Sequence, residues 1–124
     1  MAPIPSQESL DKLNSQQVIW FSSVRPDGRP HLVPIWFIYL DGCIYVSTDP
    51  KSVKSRNIRA NARVILALED GSHPLICEGT ARPVAAPLNE EIKAAFNQKY
   101  DWNLDTESQY NELIQVTPEK WLAW

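Results

Sequence analysis

The chemistry-bearing residues of this chain crowd into one short stretch, STDPKSVK, which carries the hydroxyls of Ser47, Thr48 and Ser52 and the amines of Lys51 and Lys54. Arg56, Arg59 and Arg63 follow within the next ten residues. The apolar run before it reads as a strand, and Asp49 and Pro50 read as the N-cap and first residue of a helix over residues 49–60. A helix start carries partial positive charge on its unpaired N–H groups, so Lys51 in its first turn is unfavourable unless an anion sits there. A bound phosphate answers that, held by free amides, by the three hydroxyls and by one or two lysines. The plain alternative is a capped surface helix with scattered lysines.

A second feature lies just upstream. In HLVPIWF, Pro34 cannot donate a ladder hydrogen bond, so this strand marks an edge, a bulge or a place where something else meets the backbone. A planar, mostly apolar ring with a phosphate tail suits these parts, the ring along Val33, Pro34, Ile35 and Trp36 and the tail at the helix start. Taken singly, Trp36 and Trp124 each read more readily as core aromatics, because large aromatics dominate cores. Other chemistries lack their residues. His31 and His73 are the only histidines, and neither has a partner at metal-ligand spacing. There is no nucleophile elbow, no GxGxxG and no GxxxxGK[ST].

The elements that must position these groups follow from pattern. The 124 residues make one domain, 1–124. Helices are expected over residues 6–14, with Ser6 as N-cap, 49–60, and 87–100, where Leu88, Ile92, Ala95 and Phe96 share a face. Strands are expected over 18–24, 31–40, 43–48, 62–69, 75–84 and 113–124, the last interrupted at Pro118. Asp41-Gly42 is the tightest hairpin signal, and 101–109 is a polar loop or short helix. Six strands in hairpin order describe a mostly β fold, a small antiparallel barrel with flanking helices.

Twelve Lys and Arg against fifteen Asp and Glu give a net charge of -3, which offers no broad surface for nucleic acid or membrane. Cys43 and Cys77 lie in apolar strand runs and read as buried thiols in a reducing compartment. No segment has the pattern of a leader or a membrane span, so a cytoplasmic protein is expected.

SSVRPDGRPHLVPIWFIYLDGCIYVST, then KSRNIRANARV, then ICEGTARPV, resembles the FMN-binding split-barrel superfamily related to pyridoxamine 5'-phosphate oxidase, in order and spacing across nearly the whole chain. The resemblance implies a six-stranded antiparallel split barrel, a homodimer with a flavin in each cleft between subunits, and oxidoreductase chemistry on a small-molecule substrate. It implies that the backbone from Val33 to Phe37 lies along the isoalloxazine ring. Ser47 and Thr48 would meet the ribityl chain or phosphate, Ser52 and Lys54 the phosphate, and Asn57 would support the helix. Trp36 and Trp124 would be ring neighbours, Trp124 from the other subunit. Val53 stands where the oxidase has an arginine, so Lys51 or Arg56 must supply the second charge. The chain also lacks the oxidase's longer C-terminal segment, so vitamin B6 oxidase activity is not expected. Similar small members bind FMN, use the deazaflavin F420, or bind haem.

Overall fold

The run 31–40 is not one strand. In the computed structural model, which describes residues 5–85 and 88–124, it divides into β2 (Pro30–Ile35) and β3 (Ile38–Leu40), with Trp36 and Phe37 between them. The remaining strands are β1 (Ile19–Val24), β4 (Cys43–Thr48), β5 (Arg63–Leu68), β6 (Leu75–Pro83) and β7 (Glu112–Ala123). The expected six strands are therefore seven, in the order β2-β1-β5-β6-β7-β4-β3, and every pairing is antiparallel.

This order has a consequence. β2 and β3 are consecutive in the chain yet form the two opposite edges of the sheet, so the sheet curls until its edges face each other across Trp36 and Phe37. Phe37 turns fully inward and leaves the ladder. Its N–H donates to the Tyr100 hydroxyl at 2.9 Å, and its C=O accepts from the Tyr100 hydroxyl at 2.8 Å and from Lys99 Nζ at 3.1 Å. Side chains thus satisfy backbone groups that a continuous strand would have paired, as buried peptide groups require. Pro34 sits on the edge strand, where its missing N–H costs no ladder bond.

One core fills the inside of the curl. Phe21, Phe37, Ile44, Val46, Leu66 and Val116 are sealed within it, and burying each such side chain contributes roughly 1.5–3 kcal/mol. A second core, with Phe96 at its centre, packs the helix Glu90–Tyr100 against β3 and the start of β7.

The helices are α1 (Gln7–Ser15), α2 (Val53–Ala60) and α3 (Glu90–Tyr100). Ser6 caps α1 as expected, accepting from the Ser9 N–H. α3 is capped by Asn89, and Pro87, where this helix was expected to begin, lies outside the described residues. α2 starts later than the sequence suggests. The Asp49 carboxylate accepts from the Lys51 N–H at 2.8 Å and the Asp49 C=O from the Ser52 N–H at 2.9 Å, closing a separate turn. The helix then restarts with Ser52 as its N-cap, extended at φ -69° and ψ 159°, its Oγ accepting from the Ser55 N–H.

Nor is β7 interrupted at Pro118. The strand runs through, and the register shifts between Glu78 and Gly79, with Gly79 opposite Pro118 and Glu78 opposite Lys120. A bulge absorbs the proline. Cys43 and Cys77 are free thiols, and burial pushes the Cys77 thiol up to about 12. No described helix is long and apolar enough to cross a membrane.

Candidate functional site

Where the two sheet edges face each other there is a cleft of about 380 Å³, lined by Pro34, Ile35 and Trp36 from the β2 end, Ser47 from β4, and Trp102, Glu107 and Tyr110 from the segment before β7. The curl brings Pro34, Ile35 and Trp36 of the predicted ring strand to one cleft with Ser47, while Thr48, Lys51, Ser52 and Lys54 are not among its lining residues. Val33 lies one residue further along β2 and packs against the core opposite Phe21.

Trp36 is not a core residue, being 46% exposed. Its indole stacks on the Tyr100 ring at 4.5 Å and 6° and meets Trp102 edge-on at 5.8 Å. Trp102 is held in turn, its Nε1–H donating to Glu107 at 2.8 Å. The same carboxylate accepts from the Tyr110 and Gln109 N–H groups at 3.0 Å, and these bonds keep it below the ordinary carboxylate range. One acid thereby shapes a polar loop into a cleft wall. Trp102, Glu107 and Tyr110 were not singled out as site residues. The visible signal was two aromatics in a polar loop, and only the fold shows that they face Trp36.

The β4 end continues into the α2 junction. Ser47 Oγ donates to the Tyr110 C=O at 2.5 Å, and Thr48 Oγ1 lies 3.4 Å from Ser52 Oγ. Ser47 and Thr48 are buried. Lys51 is exposed in the turn before Ser52, so it does not occupy the first helical turn. Lys54 does, in a first turn that holds no acid. The charge conflict that the sequence placed at Lys51 therefore belongs to Lys54. Its amine is half-buried, has no hydrogen bond or ion pair among the described residues, and is held below the ordinary lysine range by burial, against the raising effect of Asp49. An ammonium without a protein partner at a positive helix end is unfavourable by itself and is suited to an anionic ligand.

Asn57 is buried and donates from Nδ2 to Ser23 Oγ at 3.0 Å, which fixes α2 to β1. Arg59 is committed elsewhere, its guanidinium bridging to Glu112 at 2.6 Å and to the Ser55 hydroxyl. Ser55 also donates to Glu112. Burial pulls the Glu112 carboxyl up, and the bonds from Arg59 and Ser55 outweigh it, leaving the group below its ordinary value. Arg56 instead lines a separate cleft of about 410 Å³ with Arg25 and Arg29 of the β1–β2 turn. Trp124 is 73% exposed and is not brought to this site. Thr48 pairs with Glu112 at the start of β7, whereas Trp124 follows its end, up to roughly 36 Å away along the twelve-residue strand.

These residues suit a flavin. An aromatic-walled cleft holds the Ser47 hydroxyl, β4 ends one residue later and is followed by the α2 start with Lys54 unpaired among the described residues, and the outer edge of β2 has no strand partner.

No curated protein matches the chain significantly. Solved structures do. A pyridoxamine 5'-phosphate oxidase-like protein from Listeria innocua is 25% identical, with a TM-score of 0.75 over 94% of this chain and 94% of that one. A structure named F420 reductase is also 25% identical, with a TM-score of 0.75 over 96% of this chain and 98% of that one. HutZ, the haem storage protein of Vibrio cholerae, is 16% identical with a TM-score of 0.80 over 97% and 95%, a likeness of fold alone. The family model described as pyridoxamine 5'-phosphate oxidase matches residues 6–124, and the chain belongs to that family.

Proposed function

We propose that this chain is an FMN-binding flavoprotein that acts as an oxidoreductase on a small-molecule substrate. The observation that carries the reading is the aromatic-walled cleft that Ser47 lines, with β4 running on from Ser47 to the α2 start, where Lys54 is half-buried and unpaired among the described residues. Lys54, the Ser52 and Thr48 hydroxyls and free amides of α2 hold the phosphate, with Lys51 adding charge from its turn. Backbone groups from Val33 to Trp36 on the unpaired β2 edge meet the polar rim of the ring, and Ser47 faces the linking chain. Trp36, fixed by Tyr100, and Trp102 exclude water from the ring side. Bound FMN supplies hydride or electron transfer, and the protein supplies orientation and electrostatics.

The working unit in this reading is a homodimer. Across the outer face of the sheet, Pro34, Trp20, Ala67, Ile76 and Leu122 form a continuous apolar row by register, none of them buried. Leu32 and Ile65 beside it are 60% and 49% exposed. A second copy covers such a face, and Trp124, which does not line its own cleft, reaches that of the partner.

F420 is the second reading, favoured by the likeness to the F420 reductase and by the Arg25, Arg29 and Arg56 cleft, which suits an anionic tail. The deciding experiment is a visible spectrum of purified protein before and after chemical reduction, followed by competitive titration of apoprotein with FMN and F420. Colourless protein unaffected by added FMN would sink the first reading.

A further inference from the structure

Away from the aromatic cleft, a second cavity of about 420 Å³ opens between the end of α1, β3 and α3. Lys99 lines it, together with Asn14, Gln17, Tyr39 and Gln98, and none of these residues lines the aromatic cleft. The Lys99 Nζ donates to the Leu13 C=O and to the Phe37 C=O, both at 3.1 Å, and lies 3.8 Å from the centre of the Phe37 ring. The Leu13 carbonyl is one of the last four of α1, which a helix cannot satisfy by itself.

Two carbonyls take two hydrogens. A neutral amine carries two hydrogens and a lone pair, so Lys99 gives up its third proton without losing either bond. The carbonyls and the ring face favour the ammonium, but no carboxylate or other charged side chain lines the cavity to add to their pull. Tyr39 and Tyr100, the other titratable groups beside it, are pushed above the ordinary phenol range by burial and stay neutral. Burial prevails at Lys99 and holds its amine at about 8 against an ordinary 10.5. A lysine desolvated in this way is a nucleophile near neutral pH. The side-chain amides of Asn14, Gln17 and Gln98 have no partner among the described residues, and they are donors suited to a developing oxyanion.

We propose that Lys99 is an acylation site, modified by small acyl phosphates that this cavity admits. The lone pair of the amine forms an N–C bond to the acyl carbon, the C–O bond to phosphate breaks with its electron pair, and the surplus proton on nitrogen leaves with the inorganic phosphate. The product is a neutral amide with one N–H. That N–H serves the Leu13 C=O, while the Phe37 C=O keeps its bond from the Tyr100 hydroxyl at 2.8 Å, so neither carbonyl is orphaned by the modification. The site goes beyond the flavin reading and does not depend on it.

The test treats folded protein with acetyl phosphate across a series from about pH 6.5 to about pH 9.5, with near-ultraviolet circular dichroism checking the fold in every sample. The remaining amines are then labelled under denaturing conditions with isotopically heavy acetic anhydride, and peptide mass spectrometry reads each lysine. At neutral pH Lys99 is expected to acetylate at least about tenfold faster than the exposed Lys51 and Lys120, with a rate that levels off above about pH 8. Gln98→Trp, a change at an exposed lining residue, narrows the cavity and is expected to slow Lys99 while leaving Lys51 and Lys120 as they were. Lys99 reacting no faster than Lys51 and Lys120, or a side-chain NMR titration in which its amine is still protonated at about pH 9, overturns the proposal and leaves Lys99 as a structural ammonium joining α1 to the sheet break. A Lys99 rate untouched by Gln98→Trp overturns the cavity as the route of entry. The wild-type comparison decides the acylation itself even if that variant does not fold.

Discussion

Trp36 and Tyr100 lie face to face, 4.5 Å between ring centroids and 6° from parallel, and this stack ties the break between the two sheet edges to the last turn of α3. The Tyr100 hydroxyl completes the tie at the N–H and C=O of Phe37, 2.9 and 2.8 Å away. The wall of the cleft is therefore as rigid as α3 is well packed.

Tyr100→Phe keeps the stack and removes only the hydroxyl. The Phe37 N–H is left without its partner, so stability should fall by about 1–3 kcal/mol, read from urea unfolding. FMN binding should weaken with it, because Trp36 loses part of its anchor. A variant as stable as wild type would show that water replaces the hydroxyl.

Lys54→Ala should weaken FMN binding by roughly 1.5–3 kcal/mol, about 10- to 150-fold in dissociation constant, the range of a charge-assisted hydrogen bond. Riboflavin binding should be nearly unchanged. An FMN constant equal to that of wild type would reassign Lys54 to the solvated face.

Gly79→Ala should be strongly destabilising. A Cβ at Gly79 would collide with the Thr117 C=O oxygen, a backbone atom that cannot move without opening the β6–β7 pairing at its bulge. The expected loss is about 1–3 kcal/mol or more, measured by thermal unfolding. Gly71→Ala, with open space around it, serves as the control.

Alkaline stability should be biphasic. Burial holds Lys99 at about 8 against an ordinary 10.5, so between these values the unfolded chain binds more protons and stability rises with pH. Cys77 moves the opposite way, from 9.0 to about 12, and Tyr100 from 10.0 to about 12, so each removes stability above its unfolded value. The net expectation is a rise from about pH 8 to 9, a plateau to about pH 10, and a decline beyond. In Lys99→Met the rise should vanish, leaving a monotonic decline in denaturation midpoints.

Leu32→Lys with Ile65→Lys places charge on two exposed positions of the outer sheet face, where neither side chain contributes to the core. Wild type should run as a dimer and the double variant as a monomer by light scattering, with FMN affinity reduced in the monomer. A dimer that survives both lysines would move the interface elsewhere.

Local chemistry was legible in the chain. Ser6 capped its helix, Asp41-Gly42 turned its hairpin, and the apolar spacing from Ile92 to Phe96 marked the buried face of α3. The hydroxyls and lysines around the α2 start could be picked out together because a capped helix start is built from neighbours in sequence. The helix boundary was less legible. Asp49-Pro50 and Ser52 are both competent starts, and the Asp49 side chain closed a turn of its own.

Long-range relationships were decided only by the fold. Pro34 marked an irregularity in residues 31–40, but that the strand ends and restarts around Trp36 and Phe37 was not legible, because the partners that satisfy Phe37 are Tyr100 and Lys99 on a distant helix. That Nδ1 of His31, opposite Ser23 on β1, is buried without a hydrogen-bond partner among the described residues is likewise visible only in the fold. A sequence states which groups can bond or carry charge, and here it named the hydroxyls and lysines around the α2 start as candidates for an anion. Which groups end up satisfied, and which remain open to a ligand, depends on burial and on partners from other elements, and only the tertiary structure sets those.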